Sequence, residues 1–366
     1  MFTASDHSYM TRALQIAERG LYSTSPNPRV GCVIVNNGLI VGEGAHLKAG
    51  EPHAEVHAIN QAGTKTKDAT AYVTLEPCSH YGRTPPCAEA LVQAGVAKVI
   101  VAMQDPNPLV AGQGLAYLRV HGIETMTGLM EMQAQTLNAG FISRMTHQRP
   151  FVRSKIAASL DGKTSLANGQ SQWITSEFSR RDVQHWRARS CAIMTGVGTV
   201  LNDNPRLNVR DIETIRQPLR IVVDSALKTP LDANVIQDGN ALIAYAKDGE
   251  NQSSKLLAAG VSLLHAPAID GKVCLNTLLS HLSSLQVNEL MVEAGQGLNG
   301  SLMALGLVDE LLIYYAPKLM GGYAQNMFAL PNFTHMSQAV TLDVLDIRQF
   351  GNDIRLRAKP HFSYVD

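Results

Sequence analysis

The 366-residue sequence contains only five cysteines, few aromatic residues and no excess of charge of either sign. A sparse, odd set of cysteines does not suggest a disulfide framework, so the thiols remain available for metal. Lys and Arg together number 31, as do Asp and Glu. This balance argues against a protein that binds the polyanionic backbone of nucleic acid. A small-molecule substrate is expected, and a local basic cluster can still hold one phosphate.

Long apolar runs and a signal-peptide pattern are also absent. No run approaches the roughly 18 apolar residues of a membrane span, and the first twenty residues are polar with a helical pattern. We therefore expect a cytoplasmic protein with no membrane partner. The length is comfortable for two domains.

Alternating strand and helix patterns predict two α/β domains that meet near residues 144–150. In the first, apolar strands flank the hairpin signal Asn36-Asn37-Gly38 and helical patterns follow, which is typical of a three-layer arrangement. The polar segment before the second part ends in Pro150, which disfavours helix in the preceding residue. The predicted domains are residues 1–146 and 147–366, the second with a largely parallel sheet.

The strongest functional signal is Pro52-His53-Ala54-Glu55, followed by Pro77-Cys78 and then Cys87. One imidazole and two thiolates are good zinc ligands and leave a fourth position for water, whose pKa falls to about 7 on the metal. Glu55 lies at a helix start, two residues after His53, and can transfer the water proton to a ring nitrogen and a departing amine. We predict that His53, Cys78 and Cys87 bind one Zn²⁺ per chain and that Glu55 is catalytic.

Two alternatives for this cluster stay open. A purely structural zinc site needs a fourth protein ligand, which His46, His57 or His80 can supply. Free cysteines are also often buried as small apolar side chains. A non-catalytic, zinc-stapled binding protein would carry the same residues without turning over a substrate.

The second half contains two glycine-rich segments, Thr195–Thr199 and Ala294–Gly300, each after a predicted strand. Such a turn before a helix cradles phosphate through backbone N–H groups. The later segment satisfies G-x-G-x-x-G, but position 315, about 20 residues on, is tyrosine where a Rossmann domain needs an acid. The sequence therefore predicts a phosphate cradle and no standard Rossmann domain; the alternative is a glycine-rich turn that only closes a loop. Lys155 and Glu293 belong to different predicted strands that can meet. Lys155 is predicted to be catalytic, and the alternative is an ordinary lysine at a strand end.

The first half resembles the cytidine deaminase-like superfamily. Eight residues separate Cys78 from Cys87, which makes this half similar to the riboflavin-pathway deaminase, and the segment Pro26–Gly31 resembles that family's substrate-binding turn. The resemblance implies that Asn27, His80 and Arg83 contact the pyrimidine or its ribose phosphate.

The second half resembles the dihydrofolate reductase-like reductase of riboflavin synthesis, through the segments 159–163, 171–175 and 195–210. The resemblance implies NADPH rather than NADH. The implied cofactor contacts are Ala157, Trp173, Thr199, Asp203, Ser225, Gly295, Gln296, Gly297, Leu298, Asn299, Gly300 and Ser301. The implied substrate contacts are Ser171, Arg187, Leu207, Arg210 and Glu293. Arg206 is a further candidate, because an arginine fork suits a terminal phosphate; the alternative is a solvated surface charge.

The two resemblances together imply a cytidine deaminase-like three-layer domain followed by a dihydrofolate reductase-like α/β domain. They imply deamination of 2,5-diamino-6-(5-phosphoribosylamino)pyrimidin-4(3H)-one. NADPH would then reduce the ribose of 5-amino-6-(5-phosphoribosylamino)uracil to the ribityl chain. A homodimer through the reductase half is also suggested. The alternatives are a nucleoside or nucleic-acid deaminase with an accessory reductase-like domain, a folate reductase that explains only the second half, and the non-catalytic zinc protein.

Overall fold

The computed structural model describes residues 1–79, 81, 85–108 and 110–362. The chain divides into two compact units, Met1–Arg149 and Pro150–Asp366, and each has its own hydrophobic core. The predicted domain boundary at 146/147 stays a prediction, and it would fall at the end of a helix that continues to His147. Within the described ranges, no helix combines the length and apolarity needed to cross a bilayer.

The first unit is a five-stranded mixed sheet with helices. Its elements are α1 (Ala4–Ala17), β1 (Gly31–Asn36), β2 (Leu39–Ala45), α2 (Ala54–Ala62), β3 (Thr70–Val73), α3 (Cys87–Gln93), β4 (Lys98–Val101), α4 (Gln113–Val120), β5 (Glu124–Thr127), α5 (Glu131–Leu137) and α6 (Ala139–His147). The strand order is β2-β1-β3-β4-β5. Strand β1 is antiparallel to β2 and β3, and β3, β4 and β5 are parallel. The hairpin predicted at Asn36-Asn37-Gly38 is confirmed, since β1 ends and β2 begins there.

Glycines allow helices to pack directly on both faces of this sheet. A Cβ on Gly31 would lie 2.0 Å from the Ala13 carbonyl oxygen of α1, and one on Gly44 would lie 2.0 Å from the Ala54 carbonyl oxygen of α2. Gly44 pairs with Cys32, the neighbour of Gly31 along β1. Because successive residues of a strand face opposite sides, α1 and α2 cover opposite faces. The unit therefore has the predicted three layers.

The second unit is built on a nine-stranded sheet. Its elements are β6 (Phe151–Ser159), β7 (Lys163–Ser165), α7 (Glu177–Arg189), β8 (Ala192–Gly196), α8 (Val197–Asp203), β9 (Leu219–Val223), β10 (Ala241–Tyr245), α9 (Gln252–Ala258), β11 (Ser262–His265), α10 (Leu275–Ser284), β12 (Glu289–Val292), α11 (Gln296–Ala304), β13 (Glu310–Ala316), β14 (Gln325–Asn326), β15 (Thr341–Phe350) and β16 (Asp353–His361). The strand order is β11-β10-β9-β8-β12-β6-β13-β16-β15. The strands from β11 to β13 are parallel, and β16 and β15 form an antiparallel edge hairpin. The carboxyl ends of the parallel strands therefore meet at one edge of the sheet.

The two glycine-rich segments are not the extended turns that the sequence predicts. Strand β8 ends at Gly196 and α8 begins at the next residue. Gly295 is the N-cap of α11, so Gly297 and Gly300 lie inside the helix and the prediction of a turn through Gly300 is wrong. The small residue at Gly300 serves packing, because a Cβ there would lie 2.3 Å from the Ala329 carbonyl oxygen.

Candidate active sites

The three predicted zinc ligands converge in the first unit. His53 Nδ1 lies 3.2 Å from Cys87 Sγ and 3.6 Å from Cys78 Sγ, and the three donor atoms all lie within 4.8 Å of one another. Zn–S and Zn–N bonds of about 2.3 and 2.0 Å place tetrahedral donors roughly 3.5–3.8 Å apart. The donor set and its spacing therefore fit one zinc ion.

Two of these ligands lie at helix starts and the third in the loop after a strand. His53 is the N-cap of α2, and Cys87 is the first residue of α3. Cys78 follows β3 and accepts a hydrogen bond at Sγ from the Cys87 backbone N–H, at 3.3 Å. Hydrogen bonds from Cys87 and His53 lower the pKa of Cys78 to about 4, although burial alone would raise it. The thiolate form of Cys78 is thus favoured by a backbone N–H group at the N-terminus of α3.

Glu55 lies in the first turn of α2 and is only 3% exposed. Its Oε2 atom is buried without a hydrogen-bond partner among the described residues. Burial raises the pKa of Glu55 to about 7. A buried carboxyl oxygen with no partner beside the ligand cluster is suited to exchanging a proton with bound water or substrate.

Asn27 reaches the same site through a histidine. Its Nδ2 lies 3.0 Å from His46 Nε2, while His46 Nδ1 lies 3.2 Å from the Pro52 carbonyl oxygen. A carbonyl only accepts, so Nδ1 carries the proton and Nε2 of neutral His46 accepts from the Asn27 amide. Burial lowers the pKa of His46, which favours the neutral form.

The remaining predictions for the first site concern three histidines and an arginine. The donor cluster contains neither His46 nor His57 as far as the described chain extends. His80 and Arg83 lie outside the described residues.

The second cluster joins two neighbouring strands and a helix. Glu293, directly after β12, contacts Lys155 of β6, with 3.6 Å between Oε2 and Nζ. Arg187 of α7 donates to both oxygens of Glu293, from Nε at 2.6 Å and Nη2 at 3.0 Å. Burial alone would raise the pKa of Glu293, but the two cations hold it at about 2. Burial also lowers the pKa of Lys155.

Three of the predicted contact residues have side chains that are engaged by the rest of the protein. Arg187 uses a third donor, Nη1, on the Asn208 carbonyl oxygen at 3.0 Å, so its guanidinium is largely engaged by protein. Leu207 is buried in the core. The buried Asn299 side chain bonds Ser154 Oγ and the Ala294 carbonyl oxygen. Any contact of Leu207 or Asn299 with a ligand would therefore come from the backbone.

Open space surrounds the glycines at the carboxyl edge of the sheet. A Cβ at Gly198, Gly295 or Gly297 would meet no atom within 4 Å. Strands β8 and β12 are neighbours, so the N-termini of α8 and α11 begin side by side. Backbone N–H groups at this edge therefore have room for a phosphate-bearing ligand.

The other predicted cofactor residues are distributed around this edge. Ser225 follows β9, and its carbonyl oxygen accepts from the Ala246 and Lys247 backbone N–H groups. Thr199 lies in α8, and Ala157 pairs with Tyr314 across β6 and β13. Three further predicted contacts belong to α11. The Gln296 side chain bonds the Gln325 side chain, and the Ser301 hydroxyl donates to the Gly297 carbonyl oxygen. Leu298 packs near Gly196.

Ser171 and Asp203 touch each other, although the sequence assigns one to substrate and the other to cofactor. Ser171 Oγ donates to Asp203 Oδ1 at 3.0 Å. The Arg180 guanidinium lies over the exposed ring of Trp173, with 4.5 Å between its central carbon and the ring centroid. Arg206 and Arg210 are exposed near the end of α8. The Arg210 backbone N–H donates to Gln184, which leaves most of its guanidinium toward solvent.

Comparison with known proteins agrees with both halves. A family model for the cytidine and deoxycytidylate deaminase zinc-binding region matches residues 3–103, and one for the RibD C-terminal domain matches residues 150–356. The riboflavin biosynthesis protein RibD of Escherichia coli K12 is 49% identical, covering 96% of this chain and 98% of its own length. The Haemophilus influenzae RibD is 45% identical over 98% of both chains.

Solved structures give the same result. Acinetobacter baumannii RibD is 46% identical with a TM-score of 0.91, covering 98% of this chain and 99% of that one. A Thermotoga maritima protein described as a diaminohydroxyphosphoribosylaminopyrimidine deaminase/5-amino-6-(5-phosphoribosylamino)uracil reductase is 30% identical, with a TM-score of 0.86 and the same coverage. The predicted fold class is confirmed. The chain belongs to the RibD family of riboflavin biosynthesis proteins, bifunctional enzymes with a deaminase activity and a reductase activity.

Proposed function

We propose that the first unit deaminates 2,5-diamino-6-(5-phosphoribosylamino)pyrimidin-4(3H)-one and that the second reduces 5-amino-6-(5-phosphoribosylamino)uracil with NADPH. The observation that carries the deaminase half is the convergence of His53, Cys78 and Cys87 beside the buried Glu55. The Thermotoga relative, with both activities in its description, supports these substrates.

In the deaminase site, His53, Cys78 and Cys87 would hold one zinc ion. When bound, zinc supplies a nucleophile from water at neutral pH. Glu55 would take one proton from the attacking water at Oε2 and pass it to the pyrimidine ring nitrogen, and would then carry a second proton from the added hydroxyl to the departing amine, which leaves as ammonia. Asn27 gives its N–H to His46, and its carbonyl oxygen would accept from a substrate donor.

In the reductase site, the edge around Gly198, Gly295 and Gly297 would hold NADPH, with Trp173, Thr199, Asp203 and Ser225 around it. When bound, NADPH supplies the reducing equivalents. Lys155 and Glu293 would orient the ribose and move its proton, and Arg187 holds Glu293 as a carboxylate. Catalysis here would depend mainly on positioning.

The first experiment measures zinc content by elemental analysis, ammonia release from the diaminopyrimidine ribotide, and NADPH oxidation at roughly neutral pH. We expect about one zinc per chain. Glu55→Gln should lower ammonia release by about 10²–10⁴-fold while zinc content and reduction of the deaminated substrate persist. Removal of zinc by a chelator should abolish ammonia release and leave reduction of the deaminated substrate unchanged. Zinc-free active protein, or a Glu55→Gln variant with undiminished ammonia release, would overturn the proposed deaminase site.

Arg210 tests the proposed phosphate contact of the reductase. Its side chain is exposed, and its guanidinium Nη1 lies 3.4 Å from Asn208 Oδ1. We expect Arg210→Ala to raise the KM for the phosphorylated substrate about tenfold, the loss of a charge-assisted contact, with little change in the KM for NADPH. The exposed Arg181, which pairs with Glu177 in α7, provides a control. An unchanged substrate KM would remove Arg210 from the phosphate site.

We further propose a homodimer through the second unit. The edge strand β15 exposes Val344, Leu345 and Ile347, and an exposed aliphatic edge strand is otherwise prone to aggregation. Because β15 is an edge strand of the sheet, we expect a second copy of the chain to bind along it. The predicted cytoplasmic location remains a proposal that fits small-molecule chemistry.

A further inference from the structure

Glu76 is a buried carboxylate that neither proposed reaction uses. Its side chain is only 3% exposed and accepts four backbone N–H hydrogen bonds. Oε1 accepts from Gly114 and Leu115 at 2.9 and 3.2 Å, and Oε2 accepts from Asp105 and Gly112 at 3.1 and 3.0 Å. A carboxylate has about four acceptor positions, so this one is saturated by the protein and is not available to substrate.

The four donors belong to the loop after β4 and to the first turn of α4. Gly114 and Leu115 supply N–H groups that no residue within the helix can accept. The carboxylate therefore caps α4 and closes the preceding loop with charge-assisted hydrogen bonds. Removing its charge would leave buried N–H groups without acceptors.

Glu76 is also close along the chain to a proposed zinc ligand, since one residue, Pro77, separates it from Cys78. The Glu76 backbone N–H donates to the Met103 carbonyl oxygen at 3.0 Å. A Cβ on Gly114 would lie 2.0 Å from the Pro77 carbonyl oxygen, so α4 packs against the peptide leading to Cys78. The Cys78 carbonyl oxygen in turn accepts from Ala88 of α3 at 3.1 Å.

We propose that Glu76 is a positioning residue for the zinc site: it binds the loop and α4 to the Pro77–Cys78 segment and thereby sets the place of the Cys78 thiolate. The inference rests on the proposed zinc site. Glu76 itself touches neither the ligand atoms nor a substrate, so its effect passes through the backbone of Cys78. Partners beyond the ligands commonly change metal affinity about 10–100-fold.

The test compares Glu76→Gln with Glu89→Gln in the full-length protein. Both changes remove one carboxylate charge from the first unit, but Glu89 accepts from the Tyr81 hydroxyl and the Gln93 side chain, and among the described residues it accepts from none of the loop and α4 amides that Glu76 binds. Zinc affinity is measured by competition with a chromophoric chelator, and Co²⁺ replaces zinc to report thiolate coordination by its charge-transfer absorption. NADPH-dependent reduction of deaminated substrate shows that the second unit is intact.

We expect Glu76→Gln to bind zinc about tenfold or more weakly and to alter the Co²⁺–thiolate absorption, whereas Glu89→Gln matches the wild type. Partial rescue of both readouts by Glu76→Asp, which keeps the charge but shortens the reach, would further support positioning. Wild-type affinity and spectrum in Glu76→Gln would overturn this inference alone. A wild-type protein that binds no zinc would instead overturn the proposed function.

Hydrogen exchange of the wild type decides the matter if Glu76→Gln does not fold. Coupling is reciprocal, so zinc binding should protect the amides of Asp105, Gly112, Gly114 and Leu115. The Gly122 amide bonds Arg119 at the opposite end of α4 and serves as the control. Equal protection of these amides with and without zinc would overturn the coupling.

Discussion

Individual carboxylates in the second unit show how burial and charge oppose each other. Glu310 accepts from Arg153 Nε at 3.0 Å and from Arg357 Nε at 2.9 Å. Burial alone would raise its pKa, but these arginines hold the pKa of Glu310 at about 2, as Arg187 and Lys155 do for Glu293. In the unfolded chain both carboxyls would titrate near the ordinary value of 4.5.

This difference predicts acid sensitivity of the second unit. A depressed folded pKa contributes stability above pH 4.5, and that stability is lost as the pH falls toward 2. We expect each carboxylate to contribute on the order of 3 kcal/mol to this loss. Denaturant unfolding followed between pH 6 and pH 2 measures it.

Glu310→Gln should be less stable than the wild type at pH 6, because the buried Arg153 and the partly exposed Arg357 each lose a carboxylate partner, and should show a shallower decline toward acid. Glu177→Gln, which changes an exposed pair with Arg181, should retain the wild-type slope. A Glu310→Gln profile parallel to the wild type would contradict the assignment.

At the scale of elements, helix α11 separates the two roles that a glycine can have. Gly300 faces the backbone of Ala329, whereas Gly297 faces open space one turn earlier. Both are helical, so the same substitution carries the same change in helix propensity. Comparing alanine substitutions at the two positions therefore separates an effect on packing from an effect on ligand binding.

We expect Gly300→Ala to lower the free energy of unfolding by about 1–3 kcal/mol, since Ala329 must move away from the new methyl group. Gly297→Ala should leave it unchanged or raise it by up to about 1 kcal/mol, yet weaken NADPH binding at the proposed cradle. Thermal unfolding and fluorescence titration with NADPH measure the two effects. Undiminished NADPH affinity in Gly297→Ala would argue against close approach of the cofactor backbone to α11.

At the scale of the whole molecule, the strand β15 is where a second copy is proposed to bind. Ile347 on this strand is 63% exposed, and Ile269, in a turn elsewhere in the same unit, is fully exposed at 109%. Replacing either by lysine adds the same charge in place of the same side chain.

We expect light scattering to show a dimer for the wild type and for Ile269→Lys, and a shift toward monomer for Ile347→Lys, because burying an unpaired lysine at an interface is costly. A monomeric wild type, or a fully dimeric Ile347→Lys variant, would refute a dimer through β15.

The sequence predicts local features where the signal and its physical cause lie within a few residues. The hairpin at Asn36-Asn37-Gly38 depends on its own turn residues. The prediction of a turn through Gly300 is wrong for a related reason: glycine usually marks a turn, but Gly300 is required by contact with Ala329, a residue 29 positions later. No local pattern carries such a contact.

By itself the sequence determined the two α/β halves, the HAE and PC signals of the first site, and the resemblance to a riboflavin-pathway enzyme, because residue type and short spacing encode them. Only the tertiary structure decided that His53, Cys78 and Cys87 lie within 4.8 Å of one another, that Arg187 holds Glu293, and that Glu76 joins α4 to the Cys78 segment. These arrangements depend on strand order and helix packing, which bring together residues up to 106 positions apart. The free energy of burying them is a property of the folded chain as a whole.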